Sequence, residues 1–138
     1  MKVLLEKGAY APTRAHSTDA GLDLYCKEDQ TVPAHGSAVF DTGVHVQLPE
    51  GTYGKLASKS GLNINHSVVS CGGTIDCGYT GSIRVKLYNF GNEDYTFKAG
   101  HKIVQLVVQP CLFVPVEITD ELFDKTERGA HGFGSTGV

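Results

Sequence analysis

Three short polar segments of this chain carry the side chains most able to do chemistry. In Y-G-K-L-A-S-K-S-G-L, residues 53 to 62, the hydroxyls of Ser58 and Ser60, the ammonium of Lys59 and freed backbone N–H groups around Gly61 can together surround a multiply charged anion. A polar turn has the same composition, so the segment alone fits either reading. In G-G-T-I-D-C-G-Y-T-G, residues 72 to 81, glycines on both sides of Asp76 and Tyr79 read as a tight hairpin that leads into S-I-R-V-K-L-Y-N. Its open backbone edge could read a planar base much as another base would. The Tyr79 ring could pack on a sugar and leave no room for an added hydroxyl. The Asp76 carboxylate could hold a water or take its proton, the bland alternative being an Asx hydrogen bond that stabilises the turn. In H-S-T-D-A-G-L-D-L-Y, residues 16 to 25, Asp19 and Asp23 stand near the start of a strand. A hard divalent cation such as Mg²⁺ needs only one or two carboxylates when water and substrate phosphates supply the rest. The bland reading is a turn and a strand start.

Two further features extend this set. Gln105 is the lone polar residue inside I-V-Q-L-V-V, residues 103 to 108. A buried amide needs a partner, which is a phosphate oxygen or a neighbouring strand's backbone. The chain ends on R-G-A-H-G-F-G-S-T-G-V, residues 128 to 138, where glycines make the backbone costly to order and able to wrap closely. Such composition fits a frayed end. It also fits a lid, because Arg128 offers a rigid fork of donors, Phe133 a flat face, and Ser135 and Thr136 hydroxyls.

The elements that must position these residues read as strands. Alternation with period two runs through V-H-V-Q-L (44 to 48) and I-R-V-K-L-Y (83 to 88), and residues 103 to 108 form an apolar run. Turn signals separate them at P-A-H-G (33 to 36), P-E-G (49 to 51), G-N-E-D (91 to 94) and K-A-G-H (98 to 101). The pattern predicts an all-β barrel or jelly-roll-like sandwich with very little helix, the single short helix lying near residues 58 to 65 and opening on a capping hydroxyl. Residues 112 to 123, L-F-V-P-V-E-I-T-D-E-L-F, predict one more strand, marked by Pro115 as an edge or a bend. The expected organisation is a domain over 1–124 and a flexible C-terminal lid over 125–138.

Bulk properties narrow the class. The 138 residues suit one core, with 41% hydrophobic and 20% charged residues as in ordinary globular proteins. A net charge of -3 with interspersed signs offers no basic surface for a polymeric nucleic acid. No run approaches the roughly 20 apolar residues of a membrane span, and MKVLLEKGAY has no cleavage pattern, so a cytoplasmic protein with no membrane partner is expected. Cys26, Cys71, Cys77 and Cys111 lack C-x-x-C spacing and read as reduced fillers of small spaces. The scattered histidines give no metal spacing.

Taken in order, the segments resemble the five motifs of the trimeric dUTPase family: A-G-L-D-L (20 to 24), S-K-S-G-L (58 to 62), G-G-T-I-D-C-G-Y-T-G (72 to 81), H-K-I-V-Q-L (101 to 106) and R-G-A-H-G-F-G-S-T-G (128 to 137). The resemblance implies a jelly-roll-like β-barrel forming a homotrimer with active sites shared between subunits. It implies hydrolysis of dUTP to dUMP and pyrophosphate, which limits uracil in DNA and supplies dUMP for thymidylate synthesis. By motif position it implies that Asp76 activates the attacking water, that Asp23 helps hold Mg²⁺ mainly through its waters, and that Ser60 and Gln105 contact the phosphate chain. Residues from Ile75 to Tyr79 would hold uracil and deoxyribose, Arg128 would meet the terminal phosphate and Phe133 would cover the base. Gly61, Gly73, Gly134, Ser135 and Thr136 also fall at substrate-binding motif positions.

Three positions depart from the family pattern. Lys59 replaces the usual arginine, a point charge instead of a fork. Ser70 falls near where many members carry an asparagine, and His131 replaces a glycine in the tail. Two other readings sit on related ground: a dCTP deaminase-like enzyme, whose relatives typically lack such a tail, and a nucleotide-sensing protein-binding regulator.

Overall fold

In R-V-K-L-Y-N, residues 84 to 89, alternate side chains are buried and solvent-facing, and the same period of two runs through much of the chain. The computed structural model describes residues 1–71, 73–121 and 126–132. It is almost entirely β, in the order β1 (Lys2–Leu5), β2 (Leu22–Tyr25), β3 (Gln30–Val32), β4 (Ser37–Asp41), β5 (Val44–Gln47), β6 (Thr52–Ala57), α1 (Ser60–His66), β7 (Val68–Ser70), β8 (Thr74–Ile75), β9 (Arg84–Asn89), β10 (Tyr95–Phe97) and β11 (Lys102–Pro110). The expected all-β jelly roll with one short helix is the fold observed.

The strands form antiparallel sheets of order β2-β11-β6-β8 and β4-β9-β7, with two-stranded ribbons β1-β5 and β10-β3. No two consecutive strands pair with each other among the described residues. Each turn therefore carries the chain between sheets or past an intervening element. The core lies between the inward faces, where Leu24, Phe40, Leu56, Ile83, Leu87, Phe97, Val104 and Leu106 are buried. Phe40 and Phe97 meet edge to face at 5.3 Å between centroids, a geometry that adds to their area burial. Each such side chain contributes on the order of 1.5–3 kcal/mol by leaving water.

Four expectations change. The segment 72 to 81 is not a hairpin: β8 pairs with β6, whereas β9 pairs with β4 and β7, so residues 76 to 83 form a corner between two sheets. The helix does not open on a capping hydroxyl. Its N-cap is Lys59, with no side-chain cap, because the Ser58 hydroxyl is engaged by Ser70. Residues 111 to 120 form no strand. Pro115 has no N–H to donate, and Leu112, Phe113, Val114, Val116 and Ile118 are all exposed. Of the cysteines, all four of which are free thiols as expected, Cys26 is a buried filler and Cys77 packs partly buried against the core, whereas Cys71 is exposed.

Candidate active site

The four-stranded sheet places the first polar set. On its inner face Leu24, Leu56, Val104 and Leu106 enter the core. The intervening positions share the other face, where Gln105 of the central strand lies opposite Asp23 of β2 on one side and Ala57 of β6 on the other. Gln105 reaches over Gly21: a Cβ there would sit 3.0 Å from its Cβ and 3.3 Å from its Oε1. A glycine is needed at position 21 for this close approach, not for an unusual backbone angle.

Two lysines cover Asp23, whose side chain is 5% exposed. Lys59 Nζ lies 2.6 Å from Oδ1, and Lys102 Nζ lies 2.7 Å from Oδ2. Burial works against ionising the carboxyl, but hydrogen bonds and charge from Lys102 and Lys59 outweigh it and hold the group below its ordinary range. The bond to Asp23 raises Lys102 in turn. The cluster thus has two cations for one anion on the surface that carries Gln105, an electrostatic setting suited to a polyanion.

Ser60 and Gly61 open α1 directly after this cluster. Ser60 is exposed, and no atom lies within 4 Å of where a Cβ on Gly61 would be, so the cradle expected there is open. Its base is fixed by Ser58, whose Oγ contacts the Ser70 hydroxyl at 3.0 Å and accepts from the Ser70 N–H at 2.8 Å. Ser70 therefore ties β7 to the end of β6. Gly73 lies against Leu56, where φ is +107° and a Cβ would fall 2.8 Å from a Leu56 methyl. With Ser58, Ser70 and Thr74, Gly73 borders an open cleft of about 510 Å³.

The second set lies at the other end of β6. Ile75 is buried in the core, opposite Gly54, which brings the exposed Asp76 to the level of Tyr53. Asp76 shares a cleft of about 470 Å³ with Tyr53, Thr74, Cys77, Cys111 and Phe113. Beyond it the corner tightens, with Tyr79 N–H bonded to the Asp76 carbonyl at 3.0 Å. The Tyr79 hydroxyl donates back to the Ser82 carbonyl at 3.0 Å, and its ring lies over Gly81, where a Cβ would be 2.3 Å from the phenol oxygen. Tyr79 is 44% exposed and so presents a ring face outward.

The Asp23, Gln105 and Lys59 cluster and Asp76 lie toward opposite ends of β6, although the clefts beside them share Tyr53 and Thr74. Ala57 is four steps along the strand from Tyr53, roughly 13 Å at the usual rise. Arg128 is exposed and bonds locally, its Nε donating to the His131 carbonyl at 3.1 Å. Phe133, Gly134, Ser135 and Thr136 lie outside the described residues.

Asp23 does not fit the part of a direct Mg²⁺ ligand. A hard cation takes free oxygens, and here both oxygens receive ammonium groups. Among the described residues no three His, Cys, Asp or Glu side chains group to hold a metal. Also among them, no helix is long and apolar enough to cross a membrane. The residue missed in sequence is Lys102, whose only signal is a register across non-consecutive strands, Lys102 opposite Tyr25. His45, in sequence one position of an alternating strand, contacts the Thr80 carbonyl of the corner through its ring.

Comparison with known proteins gives a consistent result. The family model described as dUTPase matches residues 7–137. A protein of Schizosaccharomyces pombe named "Probable deoxyuridine 5'-triphosphate nucleotidohydrolase" is 41% identical over 134 residues, 97% of this chain and 95% of that one. The deoxyuridine 5'-triphosphate nucleotidohydrolase of Clostridium novyi is 42% identical over 143 residues, with 100% of both chains covered. Among solved structures, a mutant dUTPase of Staphylococcus bacteriophage 80alpha with dUpNHpp superposes with a TM-score of 0.92 at 31% identity, covering 99% of this chain and 98% of that one.

Proposed function

The chain belongs to the dUTPase family, and we propose that it hydrolyses dUTP to dUMP and pyrophosphate by in-line attack of water at the α-phosphate. The observation that carries the residue assignment is the single sheet that bears both polar sets, Asp23, Gln105 and Lys59 at one end of β6 and Asp76 at the other. Asp76 orients the water and takes its proton as the oxygen bonds to the α-phosphorus. The bond to the bridging oxygen of the β-phosphate breaks, and pyrophosphate leaves. Phosphate transfer of this kind depends mainly on positioning and charge. Lys59, Lys102, Ser60 and Gln105 supply donors and cations for the triphosphate, with Gly61 leaving room for it. Asp23 acts by holding the two lysines apart and in place. An Mg²⁺ ion arriving on the triphosphate would be held by phosphate oxygens, with only its waters facing Asp23, and would supply neutralisation of charge.

In this reading the corner from Ile75 to Tyr79 receives uracil and deoxyribose, with Gly73 and Ser70 in the adjoining cleft that shares Tyr53 and Thr74. Residues 125–138 close over the nucleotide as a lid, Arg128 on the terminal phosphate and Phe133 on the base, with Gly134, Ser135 and Thr136 wrapping the phosphates. The separation of the two sets supports a homotrimer in which one chain's Asp76 faces another chain's lysines. The exposed run from Leu112 to Ile118 supports it as well, since contiguous apolar surface of this extent marks contact with another chain. Neither a deaminase nor a regulator is favoured by the relatives, which are named nucleotidohydrolases. The test is pyrophosphate release from dUTP by the wild type and by Asp76→Asn, with dCTP and dTTP as controls. Turnover of dUTP that survives in the variant would remove Asp76 from the role.

A further inference from the structure

His45 sits on β5 opposite Leu4 of β1, with a side chain 23% exposed. Its Nδ1 lies 2.8 Å from the Thr80 carbonyl oxygen, and its Nε2 lies 3.2 Å from Glu6 Oε1. Both partners are acceptors. A neutral imidazole carries one N–H, so either tautomer aims a lone pair at an oxygen. Protonating Glu6 is a poor alternative, because Lys27 Nζ lies 3.0 Å from Glu6 Oε2 and stabilises the carboxylate. The imidazolium satisfies both contacts at once.

The Thr80 carbonyl follows Tyr79 directly in the chain. Below this turn is an open cleft of about 590 Å³, bordered by Lys2, Leu4, His45, Cys77 and Tyr79. No tight packing holds the turn from that side, so the bond from His45 fixes its height above the β1-β5 ribbon. On its far side the turn is held by Ser82, whose hydroxyl reaches Asp41. We propose that His45, as the imidazolium, is a positioning residue for the turn 77–80, setting the Thr80 carbonyl and through it the ring of Tyr79 that receives the nucleotide.

The charges around the ring agree. The bond to Thr80, and then Glu6 and Asp41, favour the protonated form and outweigh partial burial. Lys27 and Lys2 are the nearby cations, with Arg84 spent on Asp41 at 3.3 Å. Because the proton is held more tightly than in free histidine, the clamp is complete below about pH 6.5. One of its two contacts is lost as pH rises through the higher folded value, when the single remaining N–H can serve only one acceptor.

The inference rests on the reading that Tyr79 meets the substrate, and the test separates the two. Steady-state kcat and KM for dUTP are measured from pH 6 to 9 for the wild type, His45→Asn, His45→Leu and Tyr79→Ala. The asparagine amide replaces the Nδ1–H donor without titrating, so its profile also accounts for titration of the nucleotide. The wild-type KM is expected to rise about 5–10-fold across the histidine titration with kcat little changed, the loss of one hydrogen bond's worth of binding. His45→Asn should stay near the low-pH value, and His45→Leu should show the raised KM throughout. In the nucleotide-free protein, NMR should show Tyr79 and Thr80 amide shifts following the His45 ring titration. A wild-type KM that tracks His45→Asn at every pH, or turn resonances indifferent to the ring, overturns the inference. Tyr79→Ala with an unchanged KM overturns instead the reading of Tyr79.

Discussion

If Asp76 of one chain works with the lysines of another, two inactive variants should restore each other. The first variant is Asp76→Asn, which keeps the shape of the exposed carboxylate and removes its charge. The second is Ser60→Glu, at the exposed first residue of α1, where a carboxylate suits the helix start but would face the triphosphate in the proposed site. At about 4 Å and an effective dielectric of about 20, one added like-charge pair costs roughly 4 kcal/mol, near a thousandfold in binding. The two substitutions lie at opposite ends of β6, so neither disturbs the other's fold. Mixed in equal amounts after reversible unfolding, the chains assort at random. The chance that one neighbour supplies an intact Asp76 and the next an intact phosphate cradle is about one quarter. Pyrophosphate release should recover to roughly a quarter of the wild-type rate treated alike. Recovery no greater than the sum of the parents would refute the shared site and require both sets to serve one chain's own nucleotide.

Other consequences concern the residues that hold these groups. Asp23→Asn should cost about 2 kcal/mol in urea unfolding, below the range for fully buried pairs because Lys59 and Lys102 keep 21% and 41% side-chain exposure and can turn to water. With its folded pKa depressed, Asp23 contributes stability at pH values above its unfolded value, and this is lost as pH falls through the folded one. The stability difference between wild type and Asp23→Asn should therefore shrink on acidification below about pH 4. Gly81→Ala should displace the Tyr79 ring and raise KM for dUTP while moving the melting temperature little, since the clash is with an exposed side-chain end. Gly73→Ala should instead lower stability by about 1–3 kcal/mol, having both a positive φ and a contact with Leu56.

The alternation in residues 84 to 89 and the apolar run of β11 were legible in the sequence because period two states which face each side chain takes. It does not state which strands are neighbours. Glycines around Asp76 and Tyr79 signalled a tight turn, and a turn is there, but its flanking strands belong to different sheets, so the hairpin was not. The same limit hid Lys102. Its ammonium meets Asp23 only through the pairing of β11 with β2, between residues almost 80 positions apart. Ser58 looked like a helix cap by its position before α1, yet the hydroxyl found a closer partner in Ser70. The apolar run after Pro110 had the composition of a strand and, among the described residues, no strand beside it. Composition alone could not show that.

The reaction itself is tested most directly by hydrolysing dUTP in ¹⁸O-labelled water and following the products by ³¹P NMR. Attack at the α-phosphate predicts one labelled oxygen on dUMP and none in pyrophosphate, with the label appearing at a rate that Asp76→Asn abolishes. Label in pyrophosphate, or orthophosphate as the first product, would contradict the account.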